Sequence, residues 1–261
     1  MSILFVNILA NPLEQFLILP IFSFSLFGLN LFITNTILVL LFIIFCFFLL
    51  NQSLLNIKKN DNYLIPSNIQ ICFELLYKGV QSIVTENIKF QTNFLFFPLI
   101  FALFIFILFL NLIGMIPYSF TVTSHLSATL ILSLTLFFGI QIISIKLHKL
   151  HFFSSFFPSG TSIFLGFLLV PIEIISFIFK PISLSIRLFA NMMAGHTLLK
   201  VIAGFGWSLM NNSSGLLSVA QIVPTIILVC LFALESAVGI IQAFVFCVLI
   251  CIYLNDSIIL H

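Results

Sequence analysis

The sequence predicts an all-α integral membrane protein, and three observations carry that reading. Of 261 residues, 62% are hydrophobic and only 6% are charged, against about 25% charged in an ordinary soluble domain. The apolar residues come in continuous runs rather than in the alternation of transmembrane β-barrel strands. In lipid, runs of that kind satisfy their backbone only as helices. Mean hydropathy is +1.32. A net charge of +2 with so few charges builds no water-facing surface, which excludes a soluble enzyme. No basic patch is present to hold phosphates, which excludes a nucleic-acid binder. No P-loop pattern is present either, so no nucleotide is expected on this chain. No cofactor or metal is expected.

The elements follow in order within one membrane domain, 1–261. No lysine or arginine precedes Lys58, which speaks against a basic signal peptide or an Arg-rich transit peptide. Residues 33–50 form the first apolar run near the ~20 residues a bilayer needs. Residues 67–90 are more polar, with Glu74, Lys78, Glu86 and Lys89 among them. There Ile69, Cys72, Phe73, Leu76 and Val80 recur at helical spacing, as in an amphipathic helix on the membrane surface. Residues 94–147 read as a helical hairpin: one run stops at Pro117, the next ends in Lys146, His148, Lys149 and His151. A loop follows around Pro158 and Gly160. Residues 161–260 hold two very long apolar segments, separated by the turn signal Asn211-Asn212-Ser213-Ser214-Gly215. Each segment would be roughly 70 Å long as helix, too long to stand upright in a ~30 Å core. Either each breaks into two spans or both lie strongly tilted. No internal repeat marks an inverted-repeat transporter.

The five cysteines are odd in number and mostly lie in apolar runs, so they read as packing residues and not as a disulfide framework. Cys247 and Cys251 share a helix face, but no third ligand is near them for a metal. The 35 Phe, eight Lys and single Arg suit A/T-rich codons, as in an organelle genome.

Beyond His151 the charged residues are Glu173, Lys180, Arg187, Lys200, Glu235 and Asp256. A charge at the centre of a membrane helix costs at least about 2.5–3.5 kcal/mol and normally marks an ion or substrate path. Ser176, Lys180, Ser183, Arg187 and Asn191 form one polar stripe on one helix face, where Pro181 is placed to bend the helix. The plainer reading of the stripe is packing against neighbouring helices, with lysine snorkelling. In an antiparallel hairpin, residues at one level have numbers with a constant sum. Arg187 and Gln242 add to 429, His196 and Glu235 to 431, Glu173 and Asp256 to 429. Such a hairpin turns near residue 215, inside the predicted turn. A carboxylate and an imidazole at one level can pass protons. An arginine stays charged, so it attracts a passing carboxylate and blocks a direct leak. A lone core histidine would be the plain reading of His196, and its pairing with Glu235 overturns it. His125, His148, His151 and His261 read as interface or loop histidines, and Lys200 as a surface anchor.

These residues carry a family resemblance. Asn111-Leu-Ile-Gly114-Met-Ile-Pro117-Tyr118 through His125, Ser185-Ile-Arg187-Leu-Phe-Ala-Asn191-Met-Met-Ala-Gly195-His196, and Gly239-Ile-Ile-Gln242 through Asp256 resemble signatures of subunit a of F-type ATP synthases. The likeness runs from about Phe94 to the C-terminus; the first ninety residues match only in pattern. It is closest to the mitochondrial form, whose arginine motif ends in Ala-Gly-His. Bacterial forms carry Glu at that place and His where this chain has Glu235. Ser185 stands where a glycine is common. The resemblance implies about six helices: an upright span, a surface amphipathic helix, one hairpin, and a long strongly tilted two-helix hairpin. It implies a proton-conducting, non-catalytic stator subunit of the mitochondrial inner membrane. Its partners would be the c-subunit ring, the peripheral stalk and other synthase subunits, and membrane lipid. Arg187 would face the ring carboxylates, flanked by Asn191 and Gln242. His196 and Glu235 would belong to the inlet half-channel, and Glu173 with Asp256 to the exit path. The competing readings are a proton-coupled transporter, with Arg187 binding an anionic substrate, and a structural subunit of a respiratory complex.

Overall fold

The computed structural model describes residues 12–26, 29–59, 68–88, 93–116, 119–149, 152, 163–211 and 221–258. Six α-helices dominate among them: α1 Asn35–Lys59, α2 Asn68–Asn87, α3 Asn93–Gly114, α4 Leu126–His148, α5 Ile163–Asn211 and α6 Ile222–Ile258. The chain is an all-α membrane protein. Helices α3 to α6 each contain a stretch long and apolar enough to cross a bilayer. The turn expected at 211–215 lies outside the described residues beyond Asn211, and so does the loop expected at 151–162 apart from Phe152.

One element was not expected. Strands β1, Pro20–Leu26, and β2, Leu29–Thr34, pair antiparallel ahead of α1. The expected first span therefore starts two residues late, and its continuous apolar part is Asn35–Leu49. Asn35 joins hairpin to helix: its side-chain amide donates to the Leu17 carbonyl at 3.1 Å, and its Oδ1 accepts from the Thr36 N–H at 3.1 Å. That second bond satisfies one of the free N–H groups at a helix start.

The long segments do not break. α5 is one unbroken helix of 49 residues with Pro171 and Pro181 inside it, and α6 has 37 residues. At 1.5 Å per residue α5 measures about 74 Å.

The chain divides into two compact units, residues 1–56, 108–125 and 189–241, and residues 57–107, 126–188 and 242–261. In the second unit, α4 buries Thr129, Ser133, Phe137, Ile140 and Ser144, spaced by three or four as one helix face must be. Phe137 meets Phe177 of α5 edge-on, with ring centroids 4.8 Å apart. α2 buries Val80, Ile83 and Val84, and its Tyr77 ring packs edge-on to Phe97 of α3 at 4.8 Å. The imidazole Nε2 of His148 donates to the Ile258 carbonyl at 3.1 Å. Lys149 follows with a φ of 50°, the left-handed turn that commonly ends a helix.

In each unit α5 and α6 run antiparallel. In the first, Gly206 lies under Pro224, and Met210 accepts from Gln221 at 3.6 Å. In the second, the Lys180 ammonium sits 5.5 Å from the Tyr253 ring centre. The two pairs of the first unit fall in the constant-sum register, and Lys180 with Tyr253 falls within a turn of it.

Candidate functional site

The first unit holds the acid–imidazole pair. His196 is on α5 and Glu235 on α6, with Nε2 and Oε1 3.7 Å apart and only 13% and 7% of the two side chains exposed. That distance is within ion-pair range but too long for a direct hydrogen bond. Both Glu235 oxygens and His196 Nε2 are buried and have no hydrogen-bond partner among the described residues. Their capacity to take and give protons is uncommitted. A movement of a few tenths of an ångström, or one bridging water, connects them.

Glycines make the approach. A Cβ on Gly195 would lie 2.5 Å from Glu235 Oε1, so the carboxylate rests against bare backbone. A Cβ on Gly114 of α3 would lie 2.8 Å from Thr121 Cγ2 and 3.8 Å from His196 Nε2. Asn111, one turn earlier on α3 and 1% exposed, donates its side-chain amide to the Gly239 carbonyl of α6 at 2.9 Å. The opposite amide orientation would set two oxygens against each other, so the assignment follows from chemistry. Gly239 admits that contact, since a Cβ there would meet Asn111 Cβ at 3.6 Å. Beside this stands a buried turn, Val122–Ser124. In it the Thr121 hydroxyl donates to Ser124 Oγ, and the Ser124 hydroxyl donates to the Thr121 carbonyl, each at 2.6 Å. His125, which follows, stacks on Phe120 at 5.1 Å, and partial burial lowers its pKa.

The second unit holds the remaining predicted residues except Asn191. Arg187 is exposed on α5 and makes no ion pair among the described residues. Its neighbours Leu184, Ser185 and Leu188 on the same helix are buried. Ser176 and Ser183 share its exposed side, and Lys180 is half-buried. Gln242 on α6 is buried at 5% exposure. Tyr253 of α6 is within electrostatic reach of both Arg187 and Asp256. Glu173 is half-buried and Asp256 exposed; no hydrogen bond joins these two carboxylates among the described residues. Asn191 belongs to the first unit and is half-buried. Among the described residues no cluster of three or more His, Cys, Asp or Glu could hold a metal ion.

The structure thus brings His196 and Glu235 together. Sequence reasoning missed the support around them: Asn111, Gly114, Thr121 and Gly195. The available signal was polarity, since Asn111, Thr121, Thr123 and Ser124 are polar residues in apolar surroundings.

Comparison with known proteins completes the description. The family model described as ATP synthase A chain matches residues 33–255. ATP synthase subunit a of Pylaiella littoralis is 50% identical over 254 residues, covering 96% of this chain and 99% of that protein. The corresponding proteins of Chondrus crispus and Marchantia polymorpha are 47% and 45% identical, covering 97% and 96% of this chain and 98% and 99% of theirs.

Proposed function

This chain belongs to the ATP synthase A chain family, and on that premise we propose how it conducts protons. It acts as the stator subunit of the membrane motor, in the mitochondrial inner membrane, against a rotating ring of c subunits. The observation that carries the reading is the His196–Glu235 pair, 3.7 Å apart, buried, and otherwise uncommitted. A proton arriving in the inlet half-channel is taken by the imidazole or the carboxylate and passed to a ring carboxylate. Arg187 supplies the barrier. It stays charged at any working pH, and it is exposed on α5, with the apolar side chains of Phe179 and Ile186 exposed beside its polar stripe. An arginine facing lipid alone would cost at least about 2.5–3.5 kcal/mol; a ring carboxylate in front of it removes that cost. Gln242 and Asn191 flank the arginine, and Glu173 and Asp256 serve the exit path to the matrix. Each proton driven across 100 mV contributes about 2.3 kcal/mol, so several must pass per ATP, which a rotating ring delivers. The chain holds no nucleotide; catalysis belongs to the head of the complex.

The test is Arg187→Ala in the whole complex. We expect assembly without coupled ATP synthesis. Normal proton-driven synthesis in that variant would overturn the barrier role. His196→Ala should slow proton uptake and alter the pH dependence of the rate; an unchanged pH profile would remove His196 from the path.

A further inference from the structure

We propose that the hydrogen bond between Ser185 and Thr129 is the positioning device that sets the rotation of α5 at Arg187. The inference rests on the barrier role given to Arg187 above. Ser185 is 0% exposed and Thr129 is 2% exposed. The Ser185 hydroxyl donates to Thr129 Oγ1 at 3.0 Å, and the Thr129 hydroxyl donates in turn to the Leu126 carbonyl at 3.1 Å. The chain of donors is closed at every link.

Serine in a helix ordinarily satisfies itself on its own backbone. Ser133, Ser183, Ser208 and Ser236 all do so, each donating to the carbonyl three residues back. Ser185 instead reaches from α5 to α4. The other buried residues around it on α5, Pro181, Leu184 and Leu188, make contacts without direction. A slip of one residue against them would turn the helix by about 100° and swing Arg187 off its exposed face. A hydrogen bond has direction and length, so it resists that turn where leucine does not. The pin agrees in depth with the aromatic pair of Phe137 and Phe177 between these helices. Ser185 lies eight residues beyond Phe177, and Thr129 lies eight residues before Phe137, so both contacts share one antiparallel register.

The test uses the complex in its own membranes, with passive proton leak measured per assembled complex alongside ATP synthesis. Interhelical hydrogen bonds in membranes average about 0.6 kcal/mol, a shift of about threefold. Ser185→Ala and Thr129→Val should each raise the leak about threefold, and the double variant should leak no more than either. Thr129→Ser keeps the hydroxyl and should restore tight coupling. Tight coupling in Ser185→Ala, or leak in Thr129→Ser equal to that in Thr129→Val, would overturn the pin, because packing alone would then explain the site. Arg187→Ala run in parallel separates the two ideas. If it stays coupled, the barrier role fails and the pin with it; if it uncouples while Ser185→Ala does not, the pin alone fails.

Discussion

A methyl group placed on Gly195 would lie 2.5 Å from Oε1 and 2.6 Å from Cδ of Glu235. Neither the carboxylate nor α5 can absorb that overlap without moving, so Gly195→Ala displaces Glu235 from His196. Misplacing a reacting group by about 1 Å can cost up to about 100-fold in rate. We expect proton-driven ATP synthesis to fall by between about 10- and 100-fold in this variant, with the complex assembled. Gly79→Ala is the control, because nothing lies within 4 Å of a Cβ there. It should leave the rate unchanged and favour the helix by about 0.5–1 kcal/mol, read as a small rise in the heat-inactivation midpoint. An equal loss in both variants would show that glycine matters here only through backbone freedom. At this scale the sequence was legible where residues carry charge: the constant-sum register of the hairpin pairs His196 with Glu235. It was silent on Gly195, whose contribution is a missing atom. Which helical glycine lies under a carboxylate depends on helix rotation, and no spacing rule supplies that.

Between elements, aromatic pairs share the work with small and polar contacts, which matter more where lipid removes the hydrophobic drive for helix association. The Asn111 amide on the Gly239 carbonyl ties α3 to α6 one turn past Glu235. Asn111→Leu keeps the volume and removes the donor, so a loss of about 0.6–1.7 kcal/mol is expected. Asn111→Asp cannot donate when ionised and adds a buried charge, so it should be worse. Heat-inactivation midpoints of the assembled complex order the three forms; Asp matching wild type would refute the clamp. The helices themselves were legible, because composition and run length decide them. Residues 67–90 and 94–147 fall on α2, α3 and α4 to within a few positions. The clamp was not, since its partners are 128 residues apart. The β1–β2 hairpin did leave a trace, the alternation Phe22-Ser23-Phe24-Ser25, which is a strand's period. The surrounding apolar content hid it, and membrane composition alone offers no reason for a strand there.

For the whole molecule, the decisive quantity is the length of α5. An unbroken helix of 49 residues measures about 74 Å, while a bilayer with its headgroups is about 45 Å thick. A straight helix of that length stays within that layer only if it leans by about 50° or more from the membrane normal. The two prolines offered the chain a way to break into two upright spans, and it does not take it. Phe167, Ile175, Leu198 and Phe205 are all exposed along this helix, and the first and last are about 57 Å apart along its axis. Single cysteines at these positions, in a background without the native thiols, can be offered a membrane-impermeant maleimide in vesicles holding the complex. A strongly tilted helix protects all four until detergent is added. An upright one must carry at least one end about 6 Å or more beyond the headgroups, where the thiol reacts at once. Rapid labelling at Phe167→Cys or Phe205→Cys alone would mean that the helix stands upright and projects from the membrane. It could not then lie along a rotating ring through its length, and the half-channels would have to be sought on α6 and α3 instead.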